Sequence, residues 1–453
     1  MQYHDLDVTL ANGGLHYQRV ARCGTRHGER QDEVPLDLEP LARALETLEA
    51  YAGARLDEQA QRDLGMLLYD GLFGRGSVGA QLERCIGGAQ MEENGGVRVR
   101  LDLDGAPQLA RIPWEFLYFP SDERFLAPSL QSPLIRYLRS GAANPGLEVR
   151  LPVRVLAVLP ESAARGEAPL DLAAEKALLQ RALAPLAAAG TADLRFLDRE
   201  ATPDRLRSAL SGGVPELGEE PFQVVCFAGH GEAHAGGARL FLDGEGGEPV
   251  PVEDRWLAEL FDPARGVKLV VLNACQGATV TGLQPFAGLA PRLVKQGVPA
   301  VVAMQFPVYD DEALCFAETF YRALFRGPSR GRVEVATSEA RRALKQDFPD
   351  SRAWGAPVLY MRAGGYLFTP TTGRTARDVP LGRDEADAWR EAVREHERTI
   401  GQLSQASPDE RTVALLRRER RELSRALRLL RLRGLVAGAV LAVAGALTAL
   451  PAL

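Results

Sequence analysis

The chain has 453 residues, of which 46% are hydrophobic, and its formal net charge is −6. This length predicts two or three structural units, and the acidic balance argues against nucleic acid as the main partner of the whole chain. The five cysteines are odd in number and form no Cys-x-x-Cys pair. They therefore argue against a disulfide scaffold and indicate a reducing, cytosolic compartment.

The first part of the chain, residues 1–145, mixes strand and helix signals and is predicted to be an α+β region. Its predicted elements are a hairpin turning at Asn12–Gly13, helices at 38–52 and 57–72, and a half-buried strand at 97–103. An aromatic segment follows at 112–118. The Gly-, Ser- and Pro-containing segment 140–146 is typical of a linker.

Strands alternate with helices between residues 150 and 370. The predicted strands are 154–159, 193–197, 224–228, 269–272, 300–304 and 357–361, with a hairpin at 240–252. The predicted helices are 172–187, 203–210, 254–260, 285–296, a helix ending at 325, and 333–345. This alternation predicts an α/β fold with a mostly parallel sheet flanked by helices. Asp310 or Asp311 is expected to cap the helix that ends at Phe325.

The composition changes near the end of the chain. Residues 374–433 are rich in Arg, Glu and Ala and are predicted to form a charged helical stalk. Residues 434–453 are 20 residues without a charge, which is long enough for a transmembrane helix. The segment from Arg411 to Arg433 contains nine arginines and only two glutamates. Because positively charged residues beside a membrane segment stay on the cytoplasmic side, the body of the chain is expected in the cytoplasm.

Small residues recur at four-residue spacing in this predicted membrane segment, at Gly434, Gly438 and Ala442. Such a face lets helices approach closely, so a homo-oligomer formed through the tail is expected. The arginines of the stalk are also suited to anionic lipid headgroups.

Two apolar strands of the α/β region are followed by reactive side chains. His230 follows the strand 224–228, and Cys275 follows the strand 269–272. The carboxyl ends of neighbouring parallel strands meet at one edge of a sheet, where such folds bind ligands. A cysteine nucleophile reacts as the thiolate and needs a nearby base. The sequence therefore predicts a catalytic pair of Cys275 and His230.

Glycines surround both residues and allow tight turns. Gly229 and Gly231 flank His230, and Gly277 follows Cys275. The backbone N–H groups of Gly231 and Cys275 are candidates for an oxyanion hole.

Less reactive explanations stay open at this point. A lone histidine or cysteine is more often a packing residue, and Cys226 and Cys315 are expected to be inert buried thiols. Cys226, His230 and His234 have the spacing of zinc ligands on a helix, but the segment 224–228 is typical of a strand, which separates them. No metal or cofactor is expected.

The two reactive residues lie in short motifs, Phe-Ala-Gly-His-Gly at 227–231 and Leu-Asn-Ala-Cys-Gln-Gly at 272–277. These motifs resemble those of the CHAT family, whose members are caspase-like cysteine peptidases of the separase and caspase clan. Further segments that resemble the family are 109–138, 303–310, 320–324, 340–341 and 354–357. The resemblance covers most of residues 1–370 and implies a caspase-like core over 150–370 that hydrolyses peptide bonds.

The resemblance also implies roles for individual residues. Cys275 attacks the scissile carbonyl, His230 supports the thiolate or protonates the leaving amine, and the N–H groups of Gly231 and Cys275 hold the oxyanion. Some relatives carry an acid at the position of Asn273, near the pocket for the substrate residue that precedes the scissile bond. Asp310 and Asp311 are candidates to line that pocket here.

The expected function is a membrane-tethered cysteine endopeptidase that cleaves protein substrates at the cytoplasmic face. Many relatives carry helical repeats that act as a sensor, and none is found in this sequence. Regulation by clustering or by an activating protein partner is therefore expected. A role in bacterial antiviral defence follows only by analogy with the family. The alternatives are a catalytically idle scaffold that recruits partners and a membrane-perturbing effector whose tail oligomerises.

Overall fold

The computed structural model describes most of the chain before residue 371. The described residues are 2–12, 17–23, 32–50, 56–74, 77–139, 148–149, 151–162, 171–234, 237–261, 266–273, 285–306, 308–327, 329–362 and 369–370. One compact unit comprises Met1–Ala187 and Thr191–Thr371, and a second comprises Ala188–Gly190 and Thr372–Leu453. The predicted stalk and membrane segment lie outside the described residues. Within the described ranges, no helix is long and apolar enough to cross a membrane.

The larger unit contains both strands and helices in alternation. In chain order the strands are β1 (Gln2–Asn12), β2 (Tyr17–Cys23), β3 (Asp32–Pro35), β4 (Gly95–Gly105), β5 (Tyr118–Phe119), β6 (Arg124–Phe125), β7 (Leu134–Tyr137), β8 (Glu148–Val149), β9 (Val153–Val158), β10 (Ala192–Leu197), β11 (Val224–Ala228), β12 (Gly231–His234), β13 (Gly237–Asp243), β14 (Pro249–Glu253), β15 (Leu269–Asn273), β16 (Ala300–Met304), β17 (Pro357–Met361) and β18 (Thr369–Pro370).

The helices are interleaved with these strands. They are α1 (Leu38–Ala50), α2 (Glu58–Leu72), α3 (Ser77–Gln90), α4 (Leu172–Ala188), α5 (Pro203–Leu210), α6 (Asp254–Leu260), α7 (Pro285–Lys295), α8 (Asp310–Phe325) and α9 (Val333–Asp347). Short 3-10 helices cover Pro107–Arg111, Trp114–Phe116, Pro120–Asp122, Pro215–Leu217 and Ala353–Gly355.

One sheet organises the larger unit and contains eleven of the described strands, in the order β10-β9-β11-β15-β16-β17-β7-β4-β1-β2-β3. The first five are parallel to one another, and so are β17, β7, β4 and β1. The two groups meet where β17 pairs antiparallel with β16, and β2 and β3 extend the far edge as antiparallel strands. The predicted mostly parallel α/β sheet is confirmed. Its strands come from both sides of the predicted linker.

The parallel strands separate two hydrophobic cores. Val224 and Cys226 of β11 pack in a cluster with side chains from α4 and α8. Val225 and Phe227 of the same strand pack in a second cluster with side chains from α5, α6 and α7. Side chains alternate between the two faces of a strand, and helices cover both faces of β11. Its residues are therefore apolar at every position.

One helix was not predicted, and one predicted helix cap is wrong. No element was predicted at the position of α3. The helix forms because Val78, Leu82 and Cys85 are buried along one face by the rest of the fold. The cap of α8 is also different, since the helix begins at Asp310 and the N-cap residue is Tyr309. The Glu312 carboxylate accepts the N–H of Tyr309 at 2.9 Å.

Candidate active site

The ends of β11 and β15 lie side by side. The two strands are parallel neighbours, and their register places Ala228 opposite Asn273. His230 lies two residues beyond Ala228 along the chain. Cys275 lies two residues beyond Asn273 and is outside the described residues, as is Gly277. The predicted pairing of the two strands is therefore observed, and the contact between the two reactive side chains stays a prediction.

His230 occupies the joint between two sheets. It follows β11 of the large sheet and directly precedes β12, which forms a three-stranded antiparallel sheet with β13 and β14. The residue is 5% exposed, and its carbonyl oxygen accepts the N–H of Phe241 at 3.1 Å. At Gly229 a Cβ atom would lie 2.6 Å from the ring of Phe227, so any larger residue would require this buried ring to shift. The backbone around His230 is therefore held from both sides.

The register of β12 determines where the N–H of Gly231 points. Gly231 lies opposite Leu240, one position beyond the hydrogen-bonded pair of His230 and Phe241. Hydrogen-bonded and non-hydrogen-bonded pairs alternate along antiparallel strands. Gly231 therefore belongs to a non-hydrogen-bonded pair, and its N–H points away from β13. This direction is compatible with a donor to a bound ligand.

Asn273 contacts a carboxylate that the sequence analysis did not identify. Its Nδ2 donates a hydrogen bond of 3.2 Å to Oε2 of Glu175, which lies in the first turn of α4. Both side chains are partly buried. The neutral residue that ends β15 is therefore accompanied by an acid from a neighbouring helix.

Asp310 and Asp311 form the first turn of α8, which follows β16, the strand next to β15. Both are exposed, and the Asp311 carboxylate accepts the N–H of Glu312 at 3.0 Å. Tyr309, immediately before them, is 64% exposed. These three residues present an open polar surface beyond the carboxyl end of β16.

Residues 63–363, more than half of the chain, match the CHAT domain family. The chain belongs to this family. Membership was expected from the motifs around His230 and Cys275, and the matched range includes both.

Solved structures with similarity to this CHAT protein include two of the Saccharomyces cerevisiae separase–securin complex. The first is 12% identical to this chain, with a TM-score of 0.44 over 80% of it. The second is 11% identical, with a TM-score of 0.38 over 81% of this chain. In each case the match covers 30% of the separase-complex chain. The Drosophila initiator caspase Dronc has 11% identity and a TM-score of 0.31, over 49% of this chain and 88% of that chain. No curated protein matches this chain.

Four separate segments with CHAT-like sequence meet in a buried polar network. Arg136 of β7 donates from Nη2 and Nε to the two oxygens of Glu115, at 2.8 and 3.1 Å. Gln305, just after β16, donates to Glu115 at 2.8 Å and to the carbonyl of Gly355 at 2.7 Å. The network therefore links the segment after β16 to three other parts of the CHAT domain.

Charge pairing keeps Arg136 charged although it is buried. The side chains of Arg136 and Glu115 are 2% and 1% exposed. Burial alone would lower the pKa of Arg136, but the negative charge of Glu115 raises it above the ordinary arginine value. The guanidinium stays charged, so the pair acts as a fixed ionic cross-link inside the CHAT domain.

Two of the described cysteines, Cys226 and Cys315, differ from what the predicted nucleophile Cys275 requires. Cys226 faces Tyr321 with Sγ and Oη 2.7 Å apart, and burial raises the pKa of its thiol to about 12. This supports its predicted inert role. Cys315 is only partly buried, contrary to expectation. Its burial and, as a smaller cause, the negative charge of Asp347 raise the pKa of its thiol to about 12. Both thiols therefore stay protonated at neutral pH.

The structure also bears on the zinc alternative. Val224–Ala228 is a strand, so Cys226 does not share a helical face with His230. Within the described part of the chain, no group of His, Cys, Asp and Glu side chains is arranged to hold a metal ion.

Proposed function

We propose that this CHAT protein is a cysteine endopeptidase with Cys275 as nucleophile and His230 as its base and acid. The observation that carries the proposal is the register of β11 and β15, which places Ala228 opposite Asn273. Each reactive residue lies two residues beyond one member of this pair. Two residues of extended chain span at most about 7 Å, and adjacent strands lie about 4.8 Å apart. This adjacency supports the proposal that both side chains reach a common substrate bond.

The proposed reaction has two steps. The Cys275 thiolate attacks the carbonyl carbon of the scissile peptide bond, and the N–H groups of Gly231 and Cys275 stabilise the oxyanion. His230 gives a proton to the leaving amine, so the C–N bond breaks and a thioester remains. Water then attacks the thioester, His230 accepts its proton, and the acid product and free thiol are released. The N–H of Gly231 points away from β13, which supports its part in this scheme.

The substrate pocket in this proposal lies beside the end of β15. Asn273, Asp310 and Asp311 line it, and Glu175 adds a carboxylate next to Asn273. The acidic surroundings favour a basic or polar substrate residue before the scissile bond over an acidic one. The preference follows from charge alone.

The membrane proposal rests on the sequence after residue 373. Residues 434–453 anchor the chain in a membrane, the arginine-rich stalk keeps the body in the cytoplasm, and association of the tails or an activating protein partner regulates the peptidase. Deletion of 434–453 should move the protein from the membrane fraction to the supernatant without abolishing cleavage. Retention in the membrane fraction would contradict the anchor. A role in defence remains a prediction by analogy.

A cleavage comparison tests the peptidase proposal directly. Cells expressing the wild-type chain or Cys275→Ala, together with the products of neighbouring genes, are compared by proteome-wide identification of new amino termini. We expect new termini with the wild type that Cys275→Ala and His230→Ala both lack. Cys315→Ala is the matched control, because it removes a partly buried thiol elsewhere and should retain cleavage. Equal sets of termini for the wild type and Cys275→Ala would reject the proposal in favour of the idle scaffold.

A further inference from the structure

One edge of the large sheet ends in a strand that is open on its outer side. β10 is the first strand in the sheet order, and among the described strands it pairs only with β9. Residues 193–196 in the middle of β10 are all exposed or partly exposed. An open edge strand presents unpaired backbone N–H and C=O groups, to which another strand can be added.

The hydrogen bonds to β9 determine which backbone groups of β10 are available. The carbonyl oxygen of Leu197 accepts the N–H of Leu159, just after β9, at 2.9 Å. Successive residues of a strand direct their N–H and C=O groups to opposite sides, so the odd-numbered residues of β10 face β9. The even-numbered residues, Ala192, Leu194 and Phe196, therefore direct their backbone groups to the open edge.

Charged and apolar side chains occupy opposite faces of this strand. Leu194 and Phe196 pack against the core that contains side chains of α4 and α8. Asp193 and Arg195 lie on the other face, where Nε of Arg195 is 2.9 Å from Oδ1 of Asp193. Arg154 of β9 also pairs with Asp193, at 3.3 Å. The edge therefore carries an acid and a base on either side of a central apolar residue.

We propose that β10 pairs antiparallel with β10 of a second copy of this chain, with Leu194 on the two-fold axis. In this register Leu194 lies opposite Leu194 of the second copy, and Asp193 of each copy lies opposite Arg195 of the other. Ala192 lies opposite Phe196, so residues with outward backbone groups oppose one another and exchange hydrogen bonds. A two-fold contact must be self-complementary, and this order of acid, apolar residue and base meets that condition.

The charges favour this register over the neighbouring ones. A slide of the second copy by two residues keeps the backbone hydrogen bonds possible, but it places Asp193 opposite Asp193 or Arg195 opposite Arg195. Like charges directly opposite each other destabilise an antiparallel pair. A slide by one residue places outward backbone groups opposite groups that already face β9. Charges on an edge strand usually prevent strand addition, whereas these two admit one specific partner.

The dimer would join two large sheets into one and cover the partly exposed side chains of Leu194 and Phe196. β10 runs parallel to β9, β11 and β15. An antiparallel contact therefore places the carboxyl ends of these strands at opposite edges of the joined sheet, and neither candidate active site covers the other. The inference does not depend on the proposed function. It adds a surface for self-association in the described part of the chain to the proposed association of the tails.

Disulfide trapping tests the contact in the full chain, purified in a mild detergent. In the proposed register the Cα atoms of residue 194 in the two copies lie about 5.5 Å apart, within the range of about 4.4–6.8 Å that a disulfide requires. Leu194→Cys should therefore form a covalent dimer on mild oxidation. Asp193→Cys and Arg195→Cys should not form one when oxidised separately, but should do so when the two variants are mixed. The wild type gives the background from the native cysteines.

Charge reversal tests the role of the opposing acid and base. In the Leu194→Cys variant, Arg195→Glu places two acids opposite each other and should lower the crosslinked fraction at least about threefold. Arg62→Glu is the matched control, because the side chain of Arg62 is 44% exposed and that of Arg195 is 46% exposed. Both arginines pair with an acid of their own chain, and the control should leave crosslinking unchanged. Circular dichroism confirms that each variant is folded.

Mass spectrometry of the crosslinked peptides identifies the residues that are joined. A disulfide between two residues 194, weakened by Arg195→Glu, supports the proposed dimer. No more dimer with Leu194→Cys than with the wild type would overturn it, as would self-crosslinking of Asp193→Cys or Arg195→Cys above that of Leu194→Cys. Equal crosslinking with and without Arg195→Glu would contradict the register. None of these results bears on the peptidase proposal, which the comparison of new amino termini tests separately.

Discussion

The two halves of the large sheet use charge in different ways. In the half formed by β10, β9, β11, β15 and β16, an ion pair joins Arg154 and Asp193 near the beginning of β9 and β10. Apart from this pair, β9, β11 and β16 are buried apolar strands, and polar groups gather where β11 and β15 end. In the half formed by β17, β7, β4 and β1, charged side chains lie along the strands themselves. On β4, Val99 and Leu101 face the core, while Arg98 and Arg100 pair with Asp5 and Asp7 of β1.

The difference shows which arrangement can support catalysis. Charges along a strand face are paired with their neighbours across the sheet and stabilise the register. Side chains beyond a strand end are attached to turns and are accessible to a ligand at the sheet edge. The halves meet at the Arg136–Glu115–Gln305 network, which belongs to both. Substitutions in the two halves and at their junction should therefore have distinct effects on stability and on Cys275 reactivity.

The largest effect on stability is expected at the junction. Arg136→Met removes one member of the buried ion pair and leaves the Glu115 carboxylate uncompensated. We expect the free energy of unfolding to fall by about 3–5 kcal/mol, measured by urea denaturation. A loss below about 1 kcal/mol would show that the network does not cross-link the two halves.

A matched pair of leucines compares the two halves directly. Leu101 of β4 and Leu272 of β15 are each 0% exposed. Either leucine-to-alanine change should lower the free energy of unfolding by about 2–5 kcal/mol, because each leaves a cavity. Only Leu272→Ala should also slow alkylation of Cys275 by iodoacetamide, followed by mass spectrometry, since Leu272 directly precedes Asn273. Equal alkylation rates for the two variants would contradict the assignment of the site to the carboxyl end of β15.

The third prediction compares the middle of a strand with its end. The pKa of Cys226 in β11 is raised by burial from 9.0 to about 12, whereas an unfolded chain releases this proton near 9.0. Between these values the unfolded state binds fewer protons, so stability is complete below pH 9 and falls as the pH rises toward 12. We expect Cys226→Ala to remove part of this loss, up to about 1.4 kcal/mol for each pH unit above 9.

Urea denaturation of the wild type and Cys226→Ala at pH 7 and pH 10.5 measures that difference. Tyr321, whose pKa burial also raises, continues to contribute in the variant. If both proteins lose the same stability between the two pH values, Cys226 is not the protonated, buried thiol described here.

The smallest effects on stability are expected from two carboxylates, one in each half. Asp7→Asn breaks a partly exposed ion pair with Arg100 and should cost about 1 kcal/mol or less. Glu175→Gln should cost equally little but should change specificity, raising relative cleavage of substrates with an acidic residue before the scissile bond by roughly fivefold. A peptide library assay measures this ratio. A change of the same size with Asp7→Asn would argue against a local role for Glu175.

The amino-acid sequence by itself determined strands β9, β10, β11, β15 and β16, membership of the CHAT family, and the candidate residues His230 and Cys275. Continuous apolar runs and glycines beside a histidine are local signals, because they reflect burial and backbone freedom at the same positions. Only the tertiary structure decided which polar groups accompany them. Glu175 meets Asn273 across 98 residues of sequence, and Glu115 meets Gln305 across 190. No local pattern encodes such partners, because the energy of each contact depends on how distant segments pack.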